Sequence, residues 1–409
     1  MRGVVVCLLL AACSSDSGPT EIRSSRAYDK NANASPESME SVVGGNTDLA
    51  VKLYKESMQA GGNFVFSPHS ISSVFAMLYA GANGETGQQI ASTFEFPADV
   101  HVARNALDQE LAAQAQAAHD MGFPFELKTA NSMWGQDGAQ FKAPFLDTLA
   151  VNYNVGVHVV DYRTDYEGAR QQINDWVDDR TEHHILDLLP PGSLDDMTRL
   201  VLTNAIYMKA AWKTTFEASE TSDLPFHTPT GDVTVPMMRG DMSAAVARTA
   251  TYTAVQLPYA GSSIAMTIVV PNNLGEFETS FQRGVIEDIQ ASVTSQELAV
   301  RMPKFTLSTN LKLRAALMEL GMPKVFTRDA ELGGIEGNDR ELYVTDALHK
   351  GFIAVDESGT TAAAASAVVV GDDSAPEEIS VDKPFVFFIH DTVTGEVLFI
   401  GRVLNPLEQ

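Results

Sequence analysis

The chain has 409 residues, a hydrophobic fraction of 44%, a charged fraction of 20% and a formal net charge of −25, which is a globular composition with enough apolar material for one large core or two ordinary ones. Such a negative charge argues against a nucleic-acid partner and an anionic membrane surface, both polyanions. No basic cluster offers a heparin-type site, and no cofactor or metal is called for.

Met1-Arg2 and the apolar run from Val4 to Ala12 form a short export signal, below the length of a stable membrane span. Leu10-Ala11-Ala12-Cys13 resembles the bacterial lipobox, so residues 1–12 read as a lipoprotein signal peptide and Cys13 as the lipidated residue. Ser14 after the cysteine permits the outer membrane. The expected product is exported, a cell-surface or outer-membrane lipoprotein and otherwise periplasmic or extracellular, touching the membrane through its lipid alone. Cys7 leaves with the signal, so no disulfide pair remains and packing must hold the fold. Residues 13–40 are polar and aperiodic, which reads as a flexible tether. The remainder, 41–409, shows no repeat and no second linker.

From Asn46 to Met58 the apolar spacing predicts a helix. Phe64-Val65-Phe66 then makes a short strand ended by Ser67-Pro68, and Ser70 offers a hydroxyl near the next helix start. Ser67 or Ser70 with His69 lacks the spacing of a catalytic nucleophile, since no G-x-S-x-G elbow is present. Thr129 to Trp134 reads as a strand, and Ile173 through Leu189 as an amphipathic helix running into a loop. His183-His184 lacks the H-E-x-x-H spacing of a metal site, because adjacent imidazoles on a helix diverge. Thr198 to Trp212 alternates as a sheet-centre strand interrupted by Asn204, a buried amide that needs hydrogen-bond partners. Val255 to Tyr259 and Ile264 to Pro271 read as paired strands. Arg301 to Phe305 makes another strand, and Leu317 to Met322 a helix ended by Gly321. Lys383 to Ile389 and Val397 to Val403 form a buried hairpin around Thr394-Gly395.

Before that hairpin, Leu348 to Asp356 leads into Glu357-Ser358-Gly359-Thr360-Thr361, the alanines Ala362, Ala363, Ala364 and Ala365, and Ser366-Ala367-Val368-Val369-Val370. Composition alone leaves this window open between an Ala-rich helix and a loop or strand. In order and over residues 41–409, these segments resemble the serpin family. The resemblance implies an α+β fold with three β-sheets, about eight or nine helices and an exposed reactive-centre loop near 357–380. It also implies gate residues rather than catalysts: Ser67, Ser70, Asn204 and His349 beneath two strands that part, and Trp212 at the top where insertion begins.

In that family a protease attacks the loop and is trapped as an acyl-enzyme while the cut loop inserts into the central sheet. The implied partner is therefore a serine or cysteine endopeptidase, the protein itself is no enzyme, and a monomer suffices. Taking Thr360 as the first inserted position that faces inward, alternation continues through Ala362, Ala364, Ser366, Val368 and Val370, none charged and none proline. This favours an inhibitor. The alternative is a non-inhibitory serpin acting as a binding or scaffold lipoprotein, which a charged or proline-containing hinge would have favoured. Counting fourteen residues on from Gly359, or ten back from Lys383, places the reactive bond at Asp373-Ser374. Such a bond suits a protease with a basic specificity pocket, whereas elastase- or subtilisin-like enzymes would cut after Val370.

Overall fold

The computed structural model describes residues 19–336, 342–360 and 377–408. Cys13, the signal segment, Thr361 through Ala365, Asp373 and Ser374 lie outside the described residues. The first part of the chain is mainly helical: a two-residue strand β1 (Glu21–Ile22), α1 (Pro36–Gln59), β2 (Phe64–Phe66), α2 (Pro68–Tyr79), α3 (Gly84–Phe94) and α4 (Val100–Asp120). Then come β3 (Phe125–Thr129), β4 (Ser132–Gln136), α5 (Ala143–Tyr153), β5 (Val157–Val160), α6 (Tyr162–Arg180) and the long β6 (Leu200–Ala211). Strands β7 (Ser222–Thr228), β8 (Gly231–Arg248), β9 (Tyr252–Pro258) and β10 (Ile264–Pro271) precede α7 (Leu274–Ser280) and α8 (Arg283–Ser292). The chain closes with β11 (Thr294–Pro303), β12 (Phe305–Lys312), α9 (Leu313–Glu319), β13 (Ala347–Asp356), β14 (Gly359–Thr360), β15 (Glu378–Ser380), β16 (Phe385–Asp391) and β17 (Val397–Val403).

The α+β class expected from the sequence is found. One sheet has the order β1-β5-β4-β6-β14-β13-β12, with β3 also on β6. Strand β6 lies in its middle and is buried along almost its whole length, so its sequence is apolar on both faces rather than alternating. The second sheet has the order β15-β11-β8-β9-β10-β16-β17-β2, with β7 on β8. Two smaller sheets were expected beside the central one. Among the described residues they are continuous through β8, whose 18 residues pair with β7 and β11 along most of their length and with β9 only at Ala245–Arg248.

Two expectations are corrected. Helix α1 begins at Pro36, ten residues before the predicted start: the Ser35 side chain caps it by accepting from the Ser38 N–H, and Pro36 and Glu37 occupy the first turn, where their chemistry suits a helix start. Gly44 and Gly45 look like breakers but mark close approaches, since a Cβ on Gly44 would meet the Arg283 guanidinium at 2.6 Å and one on Gly45 would run into the Phe94 carbonyl. The described part of the supposed tether is likewise laid against the domain. Residues Glu21 and Ile22 pair antiparallel with His158 and Val157 of β5, the Asp29 N–H donates to the Val151 carbonyl at 2.9 Å, and Asn105 and Gln109 donate to the Asp29 carbonyl at 2.9 and 2.8 Å. Satisfying an otherwise open sheet edge accounts for this polar stretch being held. Among the described residues no helix is long and apolar enough to cross a membrane.

Candidate functional site: a seam in the central sheet

Strands β6 and β13 run parallel and pair from Leu202 with Ala347 to Tyr207 with Phe352. Above that point they separate, and β14 fills the gap: Thr360 and Gly359 pair with Ala210 and Ala211 of β6 on one side and with Val355 and Asp356 of β13 on the other. Two strands are thus joined below and parted above, with the start of a later segment already between them. Gly359 has φ +150, and a Cβ there would strike the Ala210 carbonyl, so the tight turn from β13 into β14 requires glycine. Thr360 is fully buried, and its hydroxyl lies 2.6 Å from the Tyr259 hydroxyl.

The top of the seam is built around Trp212. Its indole stacks on Tyr259 with centroids 4.6 Å apart, its Nε1–H donates to the Asp356 carbonyl at 3.0 Å, and its backbone N–H donates to the Ser358 carbonyl at 3.0 Å. Glu357 sits beside it, paired with Lys304 at 2.6 Å and accepting from the Thr221 hydroxyl at 2.7 Å. Burial pushes the Glu357 carboxyl up, but the bonds from Lys304 and Thr221 outweigh it and hold the group below the usual carboxylate range. The bend before the inserted residues is therefore fixed by charge as well as by packing.

At the base of the seam the polar groups close on one another. The backbone N–H of Ser67 donates to Nε2 of the fully buried His349 at 3.0 Å, so the ring proton is on Nδ1, which donates to the Asn204 side-chain carbonyl. Asn204 Nδ2 then donates to the Ser70 hydroxyl at 2.8 Å and to the Asn131 side-chain carbonyl at 2.7 Å, and the Ser70 hydroxyl donates to that carbonyl at 2.8 Å. Burial pulls His349 down to about 3; it is neutral, as that tautomer requires. Ser67, not Ser70, caps α2, accepting from the Ser70 N–H at 3.1 Å, while the Ser70 side chain serves the seam. Neither serine meets an imidazole through its hydroxyl, so Ser67, Ser70, Asn204 and His349 form a structural network and not an acyl-transfer site.

Asn131 joins this network from a position that the sequence pattern places inside a strand. The predicted single strand is two, β3 and β4, both on β6, and Asn131 occupies the break between them; a lone amide between two apolar strand segments was the available signal. The segment after α6 was also misread as helix. It is a strap across the same sheet: the His184 ring stacks on Tyr207 and Phe352, with centroids 4.3 and 5.3 Å away, and Lys350 Nζ donates to the Leu186 carbonyl at 2.6 Å. His183 pairs with Asp178 at 2.9 Å; with Asp179 they form a trio in which Asp178 is half-buried and the other two are exposed.

The family model described as Serpin (serine protease inhibitor) matches residues 44–406. An uncharacterised serpin-like protein of Thermococcus kodakarensis is 35% identical over 373 residues, covering 89% of this chain and 86% of that one. Leukocyte elastase inhibitor A of Mus musculus is 33% identical over 400 residues, covering 90% of this chain and all of the relative. Among solved structures, a serpin of the insect Tenebrio molitor superposes with a TM-score of 0.80 at 28% identity, covering 91% of this chain and 99% of that one.

Proposed function

The chain belongs to the serpin family, and from that membership we propose that it is a suicide-substrate inhibitor of serine or cysteine endopeptidases, acting at the cell surface as a lipid-anchored protein. The observation that carries the reading is the placement of Gly359 and Thr360 between β6 and β13. A segment already seated in the gap extends downward by separating the β6–β13 pairs one by one. Every lost pair is replaced by pairs along both edges of the new strand, so insertion adds ladder hydrogen bonds and buries small apolar side chains. That gain is the free energy available to deform an attached protease before its acyl bond is hydrolysed. The uncut state stores it for as long as the loop is continuous.

Asp373-Ser374 is the bond we assign to attack, from the spacing on both sides of the loop. Cleavage after Val370 would shorten the inserting arm by three residues, about 10 Å at ~3.3 Å per residue, and shift the outcome from trapping to turnover. The test mixes the protein with Asp/Glu-specific, elastase-like, subtilisin-like and trypsin-like proteases and reads denaturing gels with mass spectrometry. A denaturant-resistant complex together with a released peptide beginning at Ser374 is expected with the Asp/Glu-specific enzyme. Complete cleavage at that bond with no complex contradicts the inhibitor reading. For the anchor, the Cys13→Ala protein is expected to leave the membrane fraction; its unchanged retention there contradicts a lipid tether at Cys13.

A further inference from the structure

A second polar cluster lies next to the seam, centred on His69. His69 is 4% exposed, and Arg104 and Glu396 are fully buried. The two ring nitrogens of His69 each face a carboxylate: Nδ1 is 2.7 Å from Glu396 Oε1, and Nε2 is 3.4 Å from Asp108 Oδ1. Arg104 donates to the His69 backbone carbonyl at 2.9 Å and to the Ser73 hydroxyl, its Nη2 also lies 3.4 Å from His69 Nδ1, and Asn46 donates to Glu396 Oε1 at 2.6 Å. Asp108 Oδ1 and Glu396 Oε2 have no hydrogen-bond donor.

Neutral imidazole carries one N–H and one lone pair, so it can satisfy one of these carboxylates and must turn a lone pair on the other. Imidazolium presents an N–H to each of them. Burial and Arg104 oppose protonation, but the pull of the two nearby carboxylates, Asp108 and Glu396, prevails and raises the group above its ordinary value. The charged and titratable groups that face it come from two elements, Asp108 and Arg104 from α4 and Glu396 from the turn before β17, while α1 contributes the Asn46 amide. Tyr153 of α5 and Tyr28 of the N-terminal arm stand near Asp108, and burial pushes both phenols up, so they stay neutral. A cavity of about 240 Å³ lined by His69, Asp108, Ser73, Asn131, Tyr153 and Leu127 is large enough to bring water, and hence protons, to the ring.

Position gives the cluster a consequence. His69 lies between Ser67, tied to His349 of β13, and Ser70, tied to Asn204 of β6, so the start of α2 bridges the two strands that must part. We propose that His69 is a proton-operated anchor for the start of α2: charged, it ties the helix to α4 and keeps the seam closed; neutral, it releases the Asp108 side and the seam parts more readily. Resting on the insertion reading, this makes strand insertion slower in mildly acidic medium than in mildly basic medium. A raised folded-state value means that the stabilisation is fully present below the unfolded value, near 6.5, and is lost as pH rises through the folded one. Buried His349 and His390 and half-buried His101 are pulled the other way, to about 3, 4 and 4, so the pH step is taken as a difference between variant and parent.

The experiment adds a synthetic peptide copying residues 359–372 to the full-length protein and follows its annealing by native gel at about pH 5.5 and about pH 8, spanning the histidine range. The parent is expected to anneal about three-fold faster or more at the higher pH, and His69→Gln to lose that step. Asp108→Asn, a partly exposed site, is expected to reduce the step in a protein whose core is intact. A step of the same size in both variants, or no step in the parent, overturns the proposal. In parallel, the His69 imidazole is titrated by NMR and is expected to retain its proton to higher pH than exposed histidines. If that signature is present but no peptide anneals at either pH, the insertion reading fails and the gating with it, leaving His69 as a structural ion pair.

Discussion

Replacing Thr360 by Arg is expected to abolish trapping while leaving cleavage of the loop intact. Thr360 is fully buried between β6 and β13, and the partner of its hydroxyl among the described residues is the neutral Tyr259 hydroxyl. Burying an unpaired charge at such a site costs several kcal/mol. A barrier raised by even ~3 kcal/mol slows insertion about 100-fold, enough for hydrolysis of the acyl-enzyme to win. The loop ahead of the substitution still presents its scissile bond, so the protease still cuts. Gel assays against a protease that the parent traps are expected to show complete conversion to cleaved inhibitor with at least ten-fold less complex. Thr360→Ser, which keeps the hydroxyl, is expected to trap like the parent. Undiminished trapping by the Arg variant would mean that the position does not enter the sheet.

The second large effect is expected from His349→Leu. Leucine removes the acceptor of the Ser67 N–H and the donor to Asn204 in one step, and each buried group left unpaired costs about 1–3 kcal/mol. The sum, roughly 2–6 kcal/mol, falls on the contact that holds the base of the seam. Thermal unfolding should move down by several degrees, and on storage the variant should lose its capacity to trap faster than the parent, because β6 and β13 separate without cleavage. Calorimetry and timed activity assays check the two parts. The pH sign for the parent also follows. A folded value pulled down to about 3 means that His349 contributes fully above the unfolded value near 6.5 and that its contribution is lost as pH falls from there towards 3. Leucine removes that acid sensitivity, so parent and variant should converge in stability as the medium is acidified.

Much of the seam was legible in the chain. Thr198 to Trp212 announces a buried strand because its apolar run is broken by one amide, and buried amides must be paired. Gly359 announces a special backbone position, because glycine between a β-branched strand and a small-residue run has few other uses. What escaped reading depends on contacts between distant residues. Asn131 looked like part of a strand, and only the registers of β3 and β4 on the same β6 place it in a break facing Asn204. The apolar spacing that predicts α1 begins at Asn46, whereas the helix runs on from Pro36 through Gly44 and Gly45, whose low helix propensity is overridden by close packing against Arg283 and Phe94. The N-terminal arm is polar because it runs over the surface, and nothing local says that β5 offers it an open edge. His69 was weighed against its neighbouring serines, whereas its partners lie 39 and 327 residues away, at Asp108 and Glu396. Continuity of the smaller sheets through β8 is a register effect of the same kind.

The most direct measurement is a structure of the protein after cleavage of its loop at 373–374. In that structure the parallel pairs from Leu202 with Ala347 to Tyr207 with Phe352 are expected to be gone, and residues beyond Thr360 to run between β6 and β13, antiparallel to both. Inward-facing positions should then be Thr360, Ala362, Ala364, Ser366, Val368 and Val370. A cleaved protein in which β6 and β13 keep the pairs of the uncut chain would contradict insertion, and with it the trapping mechanism.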